Sequence, residues 1–157
     1  MRAQPQPEPF GPGVAAKLDR AEALCAGRGQ RLTDLRRQVL GLIIGAGAPI
    51  GAYELLDRLR GLRTGAAPPT VYRALDFLLA QGIVHRVERL SAFVSCFGEE
   101  AHEHGAQFLI CRSCGQVIEI EDHEVEAALA RAAARSGFRI SGATIEAEGR
   151  CAACQAS

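Results

Sequence analysis

Two Cys-x-x-Cys pairs, Cys111-Arg112-Ser113-Cys114 and Cys151-Ala152-Ala153-Cys154, are the residues of this chain whose type and spacing specify chemistry most directly. A two-residue spacer lets both sulfurs of a pair face one point, and zinc takes four thiolates tetrahedrally at about 2.3 Å. Four thiolates leave no open coordination position, so the metal they would hold is structural rather than catalytic. Two disulfides or four free thiols are the alternative uses of the same residues. One such pair is a weak signal, and two in one chain are a strong one. The second pair draws the end of the chain back to the first, so residues 111–154 read as one closed unit.

The elements that must position this site and use it lie on both sides of it. At 157 residues the chain is long enough for one medium domain or two small ones. Its net charge of zero hides a division. Residues 1–98 carry 13 basic against 8 acidic side chains, and residues 99–157 carry 5 against 10. A basic front and an acidic back point to a nucleic-acid-binding domain followed by a regulatory or assembly domain. No apolar run is long enough for a membrane span, and no N-terminal targeting pattern is visible. Paired cysteines without such a segment fit a reducing cytoplasm.

Residues 1–13 hold Pro5, Pro7, Pro9 and Pro12 and are expected to be a disordered tail. A first helix is predicted over 14–27, with Leu18, Ala21 and Leu24 on one face and Cys25 as a small buried hydrophobe. Thr33 caps a second helix reaching Ile44, and a third spans about 51–60 with Ala52, Leu55, Leu56 and Leu59 inward. Pro68 and Pro69 open a fourth helix, which runs over about 70–81 until Gly82. Its stripe of Val71, Ala74, Leu75 and Leu78 leaves Tyr72, Arg73 and Asp76 on the other face. Strands over 83–88 and 92–96 then make a hairpin.

That order defines an α+β protein. A winged helix-turn-helix domain (14–97) precedes a linker (98–106) and a small α/β domain (107–157). In the second domain, strands over 107–111 and 116–120 flank the Cys111–Cys114 turn. A helix capped by Asp122 runs to Ser136, and a third strand over 138–148 leads to Cys151. Three strands and one helix make a thin core, which dimerisation would cover.

Three motifs carry a resemblance over residues 15–154. Gly29-Gln30-Arg31-Leu32-Thr33 with Arg36 and Arg37 is similar to the start of the second helix in the ferric uptake regulator family. Pro69-Thr70-Val71-Tyr72-Arg73-Ala74-Leu75 resembles its recognition helix, and Phe108-Leu109-Ile110-Cys111 with Cys114-Gly115 its zinc turn. The resemblance implies a homodimeric, metal-dependent transcriptional repressor that binds a double-stranded operator. On that reading Thr70, Tyr72 and Arg73 face the major groove. Arg36, Arg58, Arg60 and Arg86 touch phosphates.

The resemblance also implies a second metal set at the junction of the two domains: His85, Cys96, His104 and Glu119, with His102 nearby and His123 left over. Two imidazoles, a thiolate and a carboxylate suit tetrahedral zinc. The positions match those of the zinc-uptake branch of the family. The iron-type pattern has a run of histidines before the zinc turn and a histidine eight residues before the third cysteine, where this chain has Ala143. The peroxide-sensing branch expects His and Asp where Gly105 and Gln107 stand. The expectation is therefore a zinc-responsive repressor of zinc-uptake genes with two zinc ions per subunit, one structural and one regulatory. No membrane or small organic ligand is implied. An iron- or other metal-responsive regulator of the same family is the alternative. A zinc hydrolase would need an open metal position and a general base, and neither is evident. A zinc-ribbon module that binds a protein partner would ignore free zinc.

Overall fold

The computed structural model describes residues 9–96 and 105–156, which fall into two units divided between Phe97 and Gly98. The expected tail is outside the described residues up to position 8, and so are linker residues 98–104, with His102 and His104.

In the first unit, helix α1 (Pro12–Gly27) starts at Pro12, because proline at the first turn gives up no needed N–H. Phe10, placed in the tail by its proline-rich setting, packs against the core, its ring over Gly41. Helix α2 (Asp34–Ala46) is capped by Thr33, whose hydroxyl accepts from the Arg36 N–H at 3.5 Å. Arg37 ties α2 to α1 through Asp19 (2.7 Å) and Glu22 (3.0 Å).

A short strand β1 (Ile50–Gly51) precedes α3 (Ala52–Leu62). Helix α4 (Pro68–Ala80) follows, then the hairpin strands β2 (Val84–Val87) and β3 (Ala92–Ser95). The sheet order is β1-β3-β2, all antiparallel. Ser91 turns the hairpin with φ +47°. The core gathers one stripe from each helix: Leu18, Ala21 and Cys25; Val39, Leu40 and Ile43; Leu55, Leu56 and Leu59; and Val71, Ala74, Leu75 and Leu78, closed by Val84 and Phe93. The α4 stripe is the predicted one, and Cys25 is buried as expected, while Leu24 of α1 is only partly buried.

The second unit is a three-stranded sheet in the order β5-β4-β6, with β4 (Ala106–Cys111) central. β5 (Val117–Ile120) pairs antiparallel and β6 (Thr144–Gly149) parallel, after a crossover through α5 (His123–Arg135). Asp122 caps α5, accepting from the N–H groups of Glu124 (2.8 Å) and Val125 (3.2 Å). At the other end Phe138 N–H reaches Ala133 O (2.9 Å) and Gly137 N–H reaches Ala134 O (3.0 Å), with Gly137 at φ +68°. This is the left-handed C-terminal closure that glycine favours. It is also why the last strand begins at Thr144 and not at Phe138, where the sequence pattern places it. A one-turn helix α6 (Ala152–Gln155) completes the unit.

Alternation along β4 sets two faces. Gln107, Leu109 and Cys111 lie on one, together with Ile118 and Ala147; Phe108 and Ile110 lie on the other, with Glu119 and Glu146. The α5 side is the Gln107 face, since the buried Gln107 donates to Asp122 O at 3.0 Å. Helix α5 buries no residue fully, and Leu109, Ile118, Val125, Leu129 and Phe138 are exposed.

Candidate metal centres and nucleic-acid face

The four cysteines come together through backbone hydrogen bonds. Cys111 N–H donates to Gln116 O (2.8 Å) and Gly115 N–H to Cys111 O (2.9 Å), folding the first pair into a turn with Gly115 at φ +75°. Arg112 N–H donates to Gly149 O (2.9 Å), which joins that turn to the end of β6. The second pair wraps the start of α6, where Cys154 N–H donates to Cys151 O at 3.0 Å. The four sulfurs then lie within 4.8 Å of one another.

Cys114 Sγ and Cys151 Sγ are 3.8 Å apart. A tetrahedron with zinc–sulfur bonds of about 2.3 Å has edges of about 3.8 Å. All four are free thiols, so the disulfide alternative is not what the chain adopts. The donor set fits zinc.

The electrostatics of the cluster agree. N–H groups of Cys151, Cys114 and Ser113 hold the Cys111 thiol down, to about 6; the Cys151 N–H lies 3.3 Å from its sulfur. Hydrogen bonding to Cys151, Cys114 and Cys111 pushes the Cys154 thiol up to about 12. Crowded sulfurs cannot all ionise without a cation among them, and a divalent ion removes that obstacle.

The second predicted set is divided between the units. In the first, Cys96 N–H donates to Ile83 O (3.0 Å), which extends the hairpin register by one step. His85 lies opposite Val94, so His85 and Cys96 are diagonal neighbours on one face of the hairpin. A ring nitrogen of His85 and Cys96 Sγ are within 4.8 Å. Cys96 is buried, and His85 Nε2 is shut off from solvent. Glu119 is in the second unit, half-buried on β5 and on the sheet face away from α5. His102 and His104 lie outside the described residues. His123 is exposed and sits 3.6 Å from Glu126. A different ligand set is disfavoured at Gly105, because a Cβ there would meet the carbonyl of Ala143. A histidine at 105 has no room.

On α4, Tyr72 and Arg73 are exposed, and Arg73 makes no hydrogen bond or ion pair among the described residues. Thr70 is half-buried and accepts from the Ala67 N–H at 3.4 Å in the first turn. The other predicted DNA contacts already have partners. Arg58 pairs with Glu54 (2.6 Å) and Arg86 with Glu88 (3.2 Å). Arg60 meets Asp57 (3.5 Å) and Ala66 O (3.2 Å). Arg36 donates to Arg31 O at 2.7 Å and stacks over the Phe77 ring at 3.5 Å. Tyr53 on α3, which no sequence motif singles out, is 81% exposed.

A helical unit closed by a three-stranded wing, followed by a small α/β unit built on a four-thiolate centre, is the architecture of a metal-dependent DNA-binding regulator. The ferric uptake regulator family model matches residues 27–148, and the chain belongs to that family. The zinc uptake regulation protein of Escherichia coli (strain K12) is 46% identical over 137 residues, covering 87% of this chain and 80% of that protein. Among solved structures, a zinc uptake regulator complexed with zinc and DNA superposes with a TM-score of 0.85 at 42% identity, over 93% of this chain and 97% of that one. Holo XcZur superposes with a TM-score of 0.83 at 45% identity, over 90% and 99%.

Proposed function

We propose that this chain is a zinc-responsive repressor that, as a homodimer, binds an inverted-repeat operator and silences zinc-uptake genes in the cytoplasm. It acts by binding, not by catalysis. The observation that carries the reading is the pairing of His85 with Cys96 on one face of the wing. It is a soft nitrogen–sulfur donor pair built into the unit that carries the recognition helix.

In this account Cys111, Cys114, Cys151 and Cys154 hold a structural zinc that cross-links the zinc turn to the chain's end. His85, Cys96, His104 and Glu119 hold the regulatory zinc, with His102 as a possible additional ligand. These residues are drawn from the wing, the linker and β5, so the bound state restricts how the wing moves against the rest. A metal with that differential preference shifts operator affinity by ~5–150-fold for ~1–3 kcal/mol of coupling. Tyr72 and Arg73, both exposed on α4, contact the major groove. The homodimer covers the apolar residues that the second unit leaves in water, Leu109, Ile118, Val125 and Leu129 among them.

The test is a zinc titration at fixed protein and salt, with binding to an inverted-repeat operator as the readout. Affinity rising with zinc and falling on chelation supports the reading. Zinc-independent binding, or a response to iron alone, overturns it.

A further inference from the structure

Two arginines of the first unit converge on the C-terminal half of α4: Arg28, and Arg36, which the sequence pattern makes a phosphate contact. Arg36 lies on α2, where its guanidinium stacks over Phe77 of α4 at 3.5 Å. The same group is locked from behind by its hydrogen bond to Arg31 O, at 2.7 Å. Arg28, just past the end of α1, donates to Gln81 O at 2.6 Å, the carbonyl that ends α4. A cation belongs there, at the negative end of the helix macrodipole.

Phe77 and Gln81 are one turn apart, and both arginines act behind the turn that carries Tyr72 and Arg73. The apolar stripe of α4 fixes which side faces the core. The planar stack and the terminal hydrogen bond are directional, and they add to that stripe a restraint at the C-terminal end of α4. A small roll of α4 swings a long side chain such as Arg73 by an ångström or more at its tip, enough to break bidentate contact with a base.

We propose that Arg36 and Arg28 are positioning residues that set the roll of α4, and that Arg36 is not a phosphate contact. The proposal rests on α4 being the helix that reads the operator. Arg36 gives up its planar surface to Phe77 and one N–H edge to the backbone, so its charge serves the fold of the reading head. Lysine in its place keeps the charge and loses the stack.

The experiment measures operator affinity of the zinc-loaded full-length protein against salt concentration, and across all single-base operator variants. Wild type is compared with Arg36→Ala, Arg36→Lys, Phe77→Leu and Arg28→Ala, with Arg73→Ala as reference. Removing one phosphate-binding cation from each subunit flattens the plot of log affinity against log salt by about one unit per subunit. The proposal expects Arg36→Ala and Phe77→Leu each to weaken operator binding ~3- to 10-fold with the salt slope unchanged. It expects base preference to relax at the positions Arg73→Ala relaxes. Arg36→Lys should behave like Arg36→Ala, and the Arg36→Ala/Phe77→Leu double variant should lose little more than either single one. Arg28→Ala should act in the same direction, independently of Phe77.

A flattened slope for Arg36→Ala and Arg28→Ala, rescue by Arg36→Lys and no effect of Phe77→Leu would make these residues phosphate ligands and overturn the proposal. If Arg73→Ala also leaves base preference untouched, then the assignment of α4 as reading helix is what failed. If Arg73→Ala relaxes preference and Arg36→Ala does not, the positioning claim alone falls.

Discussion

Among the arginines expected to contact DNA, Arg73 has no hydrogen bond or ion pair within the described residues, while Arg36, Arg58, Arg60 and Arg86 each have a partner. An exposed, unpaired guanidinium next to Tyr72 is available to read a base edge bidentately. Arg73→Ala should then cost ~1–3 kcal/mol on the operator and relax preference at one symmetric pair of bases, with zinc content unchanged. A uniform loss at every operator variant would assign it to the backbone instead. The thiolate centre makes a prediction of opposite character. Cys111, held down to about 6, is the sulfur already ionised near neutrality, and Cys154, pushed up to about 12, is not. Zinc loading must therefore release protons at neutral pH. A lowered pKa supports the folded state where the group is ionised, and that support is lost as pH falls through about 6. Protons also compete with zinc for all four sulfurs, so structural zinc should be held less tightly at pH 5.5 than at 7.5, which a chelator competition at the two values measures. Equal retention at both would contradict the assignment. The quartet was legible as a linear pattern. The pairing of His85 with Cys96 depends on hairpin register, and the inward role of Arg36 depends on Phe77, a residue far along the chain that no local pattern connects to it.

At the scale of elements, the helices of the first unit read well because each combines a start signal with a 3.6-residue stripe. Thr33 caps α2, Pro68 and Pro69 open α4, and the α4 stripe is buried as its spacing requires. What escaped were elements too short to have a period, β1 and α6. The late start of β6 escaped too, because the Gly137 closure of α5 carries the chain away before it returns to pair with β4. That return is tight where the parallel pair begins, since Gly105 packs against the carbonyl of Ala143. A side chain at 105 displaces backbone rather than a flexible tip. Gly105→Ala should cost about 1–3 kcal/mol of stability in the second unit, seen in thermal melts of the zinc-loaded protein. An unchanged melting temperature would show that the strands part without cost. The exposed row on the same unit argues for a covered face. Leu129→Glu should shift the protein toward monomer in sedimentation, whereas a dimer of unchanged strength would place the interface elsewhere.

For the whole molecule, the two proposed zinc sites have two different tasks. The thiolate quartet closes one unit by itself, since every ligand lies between Cys111 and Cys154. The proposed regulatory set names residues from both units, and of these His85 and Cys96 are neighbours within one unit. This division makes the two sites separable by mutation, because loss of a regulatory ligand should leave the structural site loaded. The net composition of the whole chain hides this organisation. Arginine and acidic residues are divided between the units in a way that averages to zero, and the sensing residues are few and far apart in the chain. The most direct test is to compare wild type with Cys96→Ser for zinc per chain, oligomeric state and zinc-dependent operator binding in the same buffer. Wild type should hold two zinc ions per chain and the variant one. The variant should stay dimeric and lose the zinc-induced gain in operator affinity. A variant that keeps the wild-type zinc response, or one that loses both metals and the dimer together, would contradict the division of tasks.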